Sequence, residues 1–150
     1  LTQENIENLR SKSKSLTIEL IEIHSAKFID DRPQDIELNT DEYEAILNSA
    51  KFSASDKKII LERDYADSNE LPESIRKSII AIYGQLSLPI PLKFLDNIFA
   101  NTQSTIAKIE LLISQINSLE RATITKYLEM LESPYNEIML GRKHTLMGTV

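Results

Sequence analysis

His24 and His144 are the two imidazoles of the chain, and there is no cysteine. A closed metal site needs about four ligands brought together at fixed geometry. His24 has Glu19, Glu22 and Asp30 close in sequence but no acidic residue four positions on, and His144 sits far away in a basic stretch. Asp30, Asp31, Asp35 and Glu37 form an acidic run. A calcium loop of the EF-hand type would also need a central glycine and a closing glutamate at set positions, and the glycine is missing. The run reads as a solvated helix-to-helix loop. None of the many serines lies in a Gly-x-Ser-x-Gly turn. Gly141-Arg142-Lys143-His144 could meet a phosphate but reads more simply as a solubilising turn. The residues therefore assign no catalytic, cofactor-binding or metal-binding position, and no cofactor is expected.

The elements that would position any site are helices. The longest periodic stretch, 94–131, reads as three amphipathic helices. Leu95, Ile98 and Phe99 form one stripe; Ile106, Ile109, Leu112, Ile113 and Ile116 a second; Leu119, Ile124, Tyr127, Leu128 and Leu131 a third. Pro91 suits the start of the first. Ser118 is the expected N-cap of the third, and Ser133-Pro134 its end. Short amphipathic helices are marginal alone and must bury their stripes on one another.

Toward the N-terminus, Thr2 fits an N-cap, with Leu1 and Ile6 placed as a hydrophobic staple. Residues 16–29 alternate like a strand at Leu16, Ile18 and Leu20, but their length and glutamates favour one helix. Asn39 with Glu42 predicts a capping box, and Leu38 with Tyr43 a staple. Ser53 predicts another cap, with Asp56 in the first turn and Ile59, Ile60 and Leu61 as the buried part. Residues 64–70 read as a flexible acidic joint. Pro72 starts a helix with Ile75, Ile79, Ile82 and Leu86 inward, and 87–91 reads as a stiff proline-restrained connector. The tyrosines and phenylalanines are expected to serve core and edge packing. Residues 135–150 read as a tail or the start of a following segment.

Composition agrees with an all-α fold. The chain is 41% apolar and 27% charged, an ordinary globular mixture, and its three glycines are few for a strand-and-turn fold. No apolar run approaches the roughly 20 residues that span a bilayer. Residues 1–14 lack the apolar segment of a signal peptide. These features set the expectations of a cytoplasmic location and no membrane partner. Leu1 is not methionine, and Val150 follows directly on an apolar segment, so the chain is expected to be cut from a longer protein.

The net charge of −6 is uneven. Residues 1–70 carry nine basic and sixteen acidic side chains, and 71–150 carry eight and seven. An acidic front half repels phosphate backbones and disfavours nucleic acid as a partner.

Tyr43-Glu44-Ala45-Ile46-Leu47, a polar joint and Lys57-Lys58-Ile59-Ile60-Leu61 are echoed by Leu95-Asp96-Asn97-Ile98-Phe99, a joint and Lys108-Ile109-Glu110-Leu111-Leu112, about 51 residues on. A helical repeat of this length suits stacked hairpins, either solenoid-like or as an irregular helical bundle. The organisation expected is one helical domain over 1–134, with possible repeat units at about 38–88 and 91–134, built from seven or eight helices.

Tyr43-x-x-Ile46-Leu47-Asn48-Ser49, the serine-rich joint and Lys57 resemble the helical repeats downstream of the ATPase core in the bacterial YobI-like P-loop NTPases. Leu1-Thr2-Gln3-Glu4-Asn5-Ile6 is similar to the opening of such a unit, and Ser133-Pro134-Tyr135 to its end. The resemblance covers most of the chain through degenerate motifs. It implies a helical sensor or scaffold arm on a nucleotide-driven engine that lies elsewhere. No ATPase residue carries over, because Gly84, Gly141 and Gly148 cannot build the phosphate-binding Gly-x-x-x-x-Gly-Lys-Ser/Thr run.

The function expected is a non-catalytic interaction or regulatory module whose partner is a protein or another domain of the same polypeptide. It should show exposed apolar residues at its partner face. Two other classes make different demands. An enzyme with dispersed carboxylates needs Glu110, Glu120 and Glu129 facing a shared cavity. A nucleic-acid-binding module needs Arg76, Lys77, Lys93, Lys108, Arg121 and Lys126 gathered in one stripe.

Overall fold

Capping chemistry sets most of the helix starts. The Thr2 hydroxyl accepts the Asn5 N–H at 3.2 Å and opens α1 (Gln3–Arg10). Ser13 does the same for α2 (Lys14–Ile23), which is followed by the short α3 (Ser25–Asp30). Asn39 opens α4 (Thr40–Leu47) with a full capping box, in which its side chain accepts the Glu42 N–H and Glu42 accepts the Asn39 N–H. Ser53 caps α5 (Ala54–Asp64). Pro72 precedes α6 (Glu73–Gln85) and Pro91 precedes α7 (Leu92–Asn101), each ring fixing φ at the entry. Ser104 caps α8 (Thr105–Gln115), a 3-10 turn follows (Ile116–Ser118), and α9 (Arg121–Glu129) ends the described structure. This computed structural model describes residues 1–30 and 36–131; Asp31, Asp35, Ser133, Pro134 and His144 lie outside them.

The fold is all-α, and no strand occurs among the described residues. The chain divides into two compact units, 1–88 and 89–150. In the first unit α2, α4 and α6 pack in succession, α3 packs on α5, α1 closes on α2, and α5 on α6. The core of this unit includes Ile6, Ile21, Phe28, Ile46, Ile60 and Ile79, all fully buried. In the second unit, the Tyr127 ring of α9 packs 4.7 Å from Phe99 of α7, and the Tyr127 hydroxyl donates to Asp96. The Lys108 ammonium of α8 stands 5.2 Å over the same Phe99 ring, and the Ile90 N–H donates to Gln115 Oε1 at 2.8 Å.

Several expectations are corrected. Residues 16–29 are helical but not one helix: the chain breaks at His24 (φ −101°, ψ 32°), which gives nine α-helices among the described residues instead of seven or eight. Ser118 does not cap α9. It closes the 3-10 turn, its hydroxyl donating back to the Gln115 carbonyl, and Glu120 takes the cap position without a side-chain bond. Ile59 and Ile106 are exposed because the burying faces of α5 and α8 run through Ile60–Leu61 and Ile109–Leu112. The helix expected to run to Ser133 ends at Glu129, where Met130 caps it. The acidic joint is anchored at its start: Tyr65 is buried edge-on to Tyr43 at 5.2 Å, and Asp64 accepts the Tyr43 hydroxyl at 2.9 Å. Burial, with the Asp64 charge adding to it, pushes the Tyr65 phenol up to about 12.

A two-pronged ion pair joins α1 to α4. Arg10 grips Glu42 through two nitrogens at 2.7 and 2.8 Å and also reaches the Glu37 carbonyl at 3.1 Å. The Glu42 side chain is 2% exposed. Burial alone would raise its carboxyl, but the Arg10 guanidinium and the Asn39 N–H outweigh this and hold it below the usual carboxylate value. The same contact raises the Arg10 guanidinium.

At its far end α6 stops in a Schellman arrangement. The Leu88 N–H bonds the Tyr83 carbonyl, and the Ser87 N–H bonds the Gly84 carbonyl. Ser87 sits at φ 54°, a left-handed position that favours glycine.

The helix end and the ion pair can both be tested by substitution. A Cβ at Gly84 would meet nothing within 4 Å. Gly84→Ala should therefore raise stability by about 0.5–1 kcal/mol, and Ser87→Gly by a few tenths up to about 1 kcal/mol, in urea denaturation. Arg10→Met should cost about 3 kcal/mol, the low end for a broken buried pair because Arg10 is partly hydrated. Glu42→Gln, which keeps the capping acceptor, should cost less. A depressed folded-state carboxyl contributes stability that is full above its unfolded value and lost as pH falls through the folded one. The loss should thus begin below about pH 4.5. Denaturation midpoints between pH 7 and pH 3 should show a smaller decline in the Arg10→Met variant.

Candidate functional site

Helix α2 has three neighbours, α1, α3 and α4. Its sequence, KSLTIELIEI, places large aliphatic residues on almost every face. Thr17 and Ile21 take the innermost positions, fully buried, with the Thr17 hydroxyl donating to the Ser13 carbonyl at 3.0 Å. Ile23 remains 72% exposed, and Leu16 is exposed beside it at helical spacing. Along the side that faces α4, residues Ser15, Ile18, Glu19, Glu22 and Ile23 form one wall of an open cleft of about 620 Å³, and Ala45 and Lys51 the other.

The small side chains Ser15 and Ala45 keep this cleft open. Two of its lining residues are tied together by Ser49, whose hydroxyl donates to Glu22 and accepts the Lys51 N–H at 3.1 Å. Ser49 is buried, so the bond satisfies a hydroxyl that would otherwise be costly to enclose. Glu19 is exposed and makes no ion pair among the described residues. An apolar rim around a few charged groups can bind the side chains of a helix or an extended segment.

A second cleft, of about 500 Å³, lies between α4 and α6 and is lined by Glu44, Asn48, Glu73, Ser74, Lys77 and Ser78 among others. Lys77 and Glu73 are paired at 3.1 Å across one helical turn. Two of its charged groups are thus tied to one another along a single helix face.

The sequence-derived candidates do not converge. Glu110, Glu120 and Glu129 are all exposed, so the cavity that a carboxylate enzyme would share among them is not formed. Of the six basic residues, Arg76 donates to the Leu71 carbonyl at 2.6 Å, Lys77 pairs with Glu73, and Lys108 covers Phe99. Three of the six thus have partners within the chain, Lys77 through an exposed ion pair. His24 occupies the α2–α3 break, and among the described residues no group of three or more His, Asp or Glu could hold a metal ion. The acidic run of Asp30, Asp31, Asp35 and Glu37 falls partly outside the described residues.

Sequence reasoning missed the α2 cleft. The signal was present in the strand-like alternation of Leu16, Ile18 and Leu20 superimposed on helical spacing. A helix with apolar residues on most faces either is buried all round or leaves one apolar face uncovered.

No family model matches the chain. It is 26% identical over 141 residues to the "Uncharacterized membrane protein YobI" of Bacillus subtilis (strain 168), a match that covers 92% of this chain and 12% of the relative. The chain thus spans about an eighth of the length of the curated relative it matches. No solved structure matches. These findings overturn the expectation of an arm on a P-loop NTPase: no ATPase or other family is matched, and the relative's name speaks of a membrane protein, not of nucleotide chemistry. They also correct the expectations of a cytoplasmic location and no membrane partner, since the similar protein is a membrane protein. Among the described residues no helix is long and apolar enough to cross a membrane. The missing apolar run therefore describes these helices and not the surroundings in which they work.

The contrast between neighbouring positions on α2 is testable. Ile23→Gln should change stability by less than about 0.5 kcal/mol, as expected of an exposed site. Ile21→Ala, in the core two positions earlier, should cost about 2–5 kcal/mol. Paired urea denaturation of the two variants checks this.

Proposed function

We propose that this chain is a non-catalytic helical interaction module within a larger bacterial membrane protein, and that it holds a protein segment in the cleft between α2 and α4. The observation that carries the reading is Ile23, a large aliphatic side chain 72% exposed at the edge of a cleft of about 620 Å³. Leaving such a residue in water forgoes about 1.5–3 kcal/mol of burial free energy, which a docked segment would recover. The match to a membrane protein eight times longer supports a module that works beside other parts of a large assembly.

The test places a photo-reactive amino acid at position 23 of the full-length protein in its native membranes, and a second at Lys77, an exposed control on α6. A protein adduct is expected from position 23 and not from position 77. Equal yields, or no protein adduct at position 23, would remove the reading.

A further inference from the structure

We infer that α4–α6 and α7–α9 are copies of one three-helix unit, and that the α4–α6 cleft binds a phenol ring with Glu44 accepting its hydroxyl. The inference is independent of the α2 cleft and of the role proposed for it. It starts from the pattern of caps and burial, which the two sets of helices share. Tyr43, Ile46 and Leu47 are the buried apolar stripe of α4, and Leu95, Ile98 and Phe99 fall at the same spacing on α7. Ser53 and Ser104 cap the second helices, whose Leu61 and Leu112 are fully buried. In the third helices the buried Ile75, Ile79 and Ile82 match Ile124, Leu128 and, just past α9, Leu131. Lys77 matches Lys126, and both are exposed. A duplicated supersecondary unit keeps its caps and its buried positions in register in this way.

The copies differ where a tyrosine would stand. In α7–α9, the Tyr127 ring lies against Phe99 and its hydroxyl donates to Asp96. In the matched register Tyr127 falls on Ser78, Phe99 on Leu47 and Asp96 on Glu44. Ser78 and Glu44 both line the α4–α6 cleft of about 500 Å³, and Leu47 is buried on α4. A serine in place of the tyrosine leaves the room of a ring open. Ser74 and Ala81, a turn to either side on α6, add no bulk to close it. Glu73 is held by Lys77, whereas Glu44 is half-buried and makes no ion pair or side-chain hydrogen bond among the described residues. An entering phenol would restore both contacts of Tyr127: a hydroxyl on a carboxylate, which is a strong charge-assisted bond, and an aromatic face on packed carbon. The volume lies within the range of about 300–1,000 Å³ found for small-ligand pockets.

The experiment titrates the nitrogen-15-labelled chain with p-cresol and follows its amide resonances. Saturable shifts are expected at Glu44, Ser74 and Ser78, and none at Asp96 and Tyr127, where the chain's own ring already occupies the matching place. Toluene, which lacks the hydroxyl, should bind at least about ten-fold more weakly, and p-cresol should weaken as much in Glu44→Ala. Ser78→Tyr, which rebuilds the arrangement of α7–α9, should abolish the shifts. Glu44→Ala removes a side chain without a partner among the described residues, so it keeps the test decisive if the larger tyrosine disturbs the fold. The tripeptide Gly-Tyr-Gly distinguishes the two sources of a phenol. Binding at least as tight as that of p-cresol assigns the site to a tyrosine of a polypeptide, and binding of p-cresol alone assigns it to a free phenolic molecule. No saturable shift at these positions, equal binding of toluene, or shifts undiminished in a folded Ser78→Tyr or Glu44→Ala variant would each overturn the inference.

Discussion

The bond between Arg10 and Glu42 organises the N-terminal unit. A carboxylate in the first turn of α4 performs two tasks at once. One oxygen closes the capping box by accepting the Asn39 N–H, and both oxygens engage the guanidinium that α1 sends across. The Glu37 N–H completes the arrangement by donating to Gln3 Oε1 at 2.9 Å, so the segment entering α4 is tied to α1 at both edges. A buried charge is tolerated only when its lone pairs are satisfied, and here the satisfying groups come from separate parts of the chain. The placement of α1, the start of α4 and the path between them are therefore one problem with one solution.

Tyrosine–carboxylate bonds fasten other helices. Tyr43 donates to Asp64, Tyr83 to Glu62 at 2.6 Å, and Tyr127 to Asp96. Each ring lies in the core with its hydroxyl at the boundary, the usual way for a large aromatic to fill space without stranding a polar atom. Burial, together with the adjoining carboxylate, raises the phenols of Tyr83 and Tyr127. These bonds fix helix register, while α2, with three neighbours to satisfy, keeps an apolar remainder that no helix of its own unit covers. The open cleft is a by-product of that surplus.

The sequence announced local structure well and long-range polar structure poorly. Thr2, Asn39 and Ser53 act within three residues of themselves, so their hydroxyls and amide could be assigned to caps by spacing alone. Ser118 misled because a hydroxyl after a polar residue can equally turn back to the preceding turn, and the 3-10 geometry decided which. Ile59 and Ile106 misled because a stripe of aliphatic residues is wider than the face a neighbouring helix covers, and only packing shows which member is turned out. The partner of Glu42 is 32 residues away, and no spacing rule reaches that far. The cleft was hidden for the same reason: its second wall comes from α4.

The short helix α3 depends on the same kind of distant help. Six residues are too few to hold a helix in water. Its terminal carbonyls, Phe28 and Ile29, are met by Arg63 at 2.8 and 3.1 Å, and the guanidinium also lies 5.2 Å from the Phe28 ring. Thirty-five residues separate Phe28 from the arginine that completes it. On a chain growing from its N-terminus at about 5–20 residues per second, that gap is roughly 2–7 s of synthesis. For that interval Phe28 and the last turn of α3 lack their partner, and an aromatic ring destined for the core stays accessible to whatever attends the nascent chain.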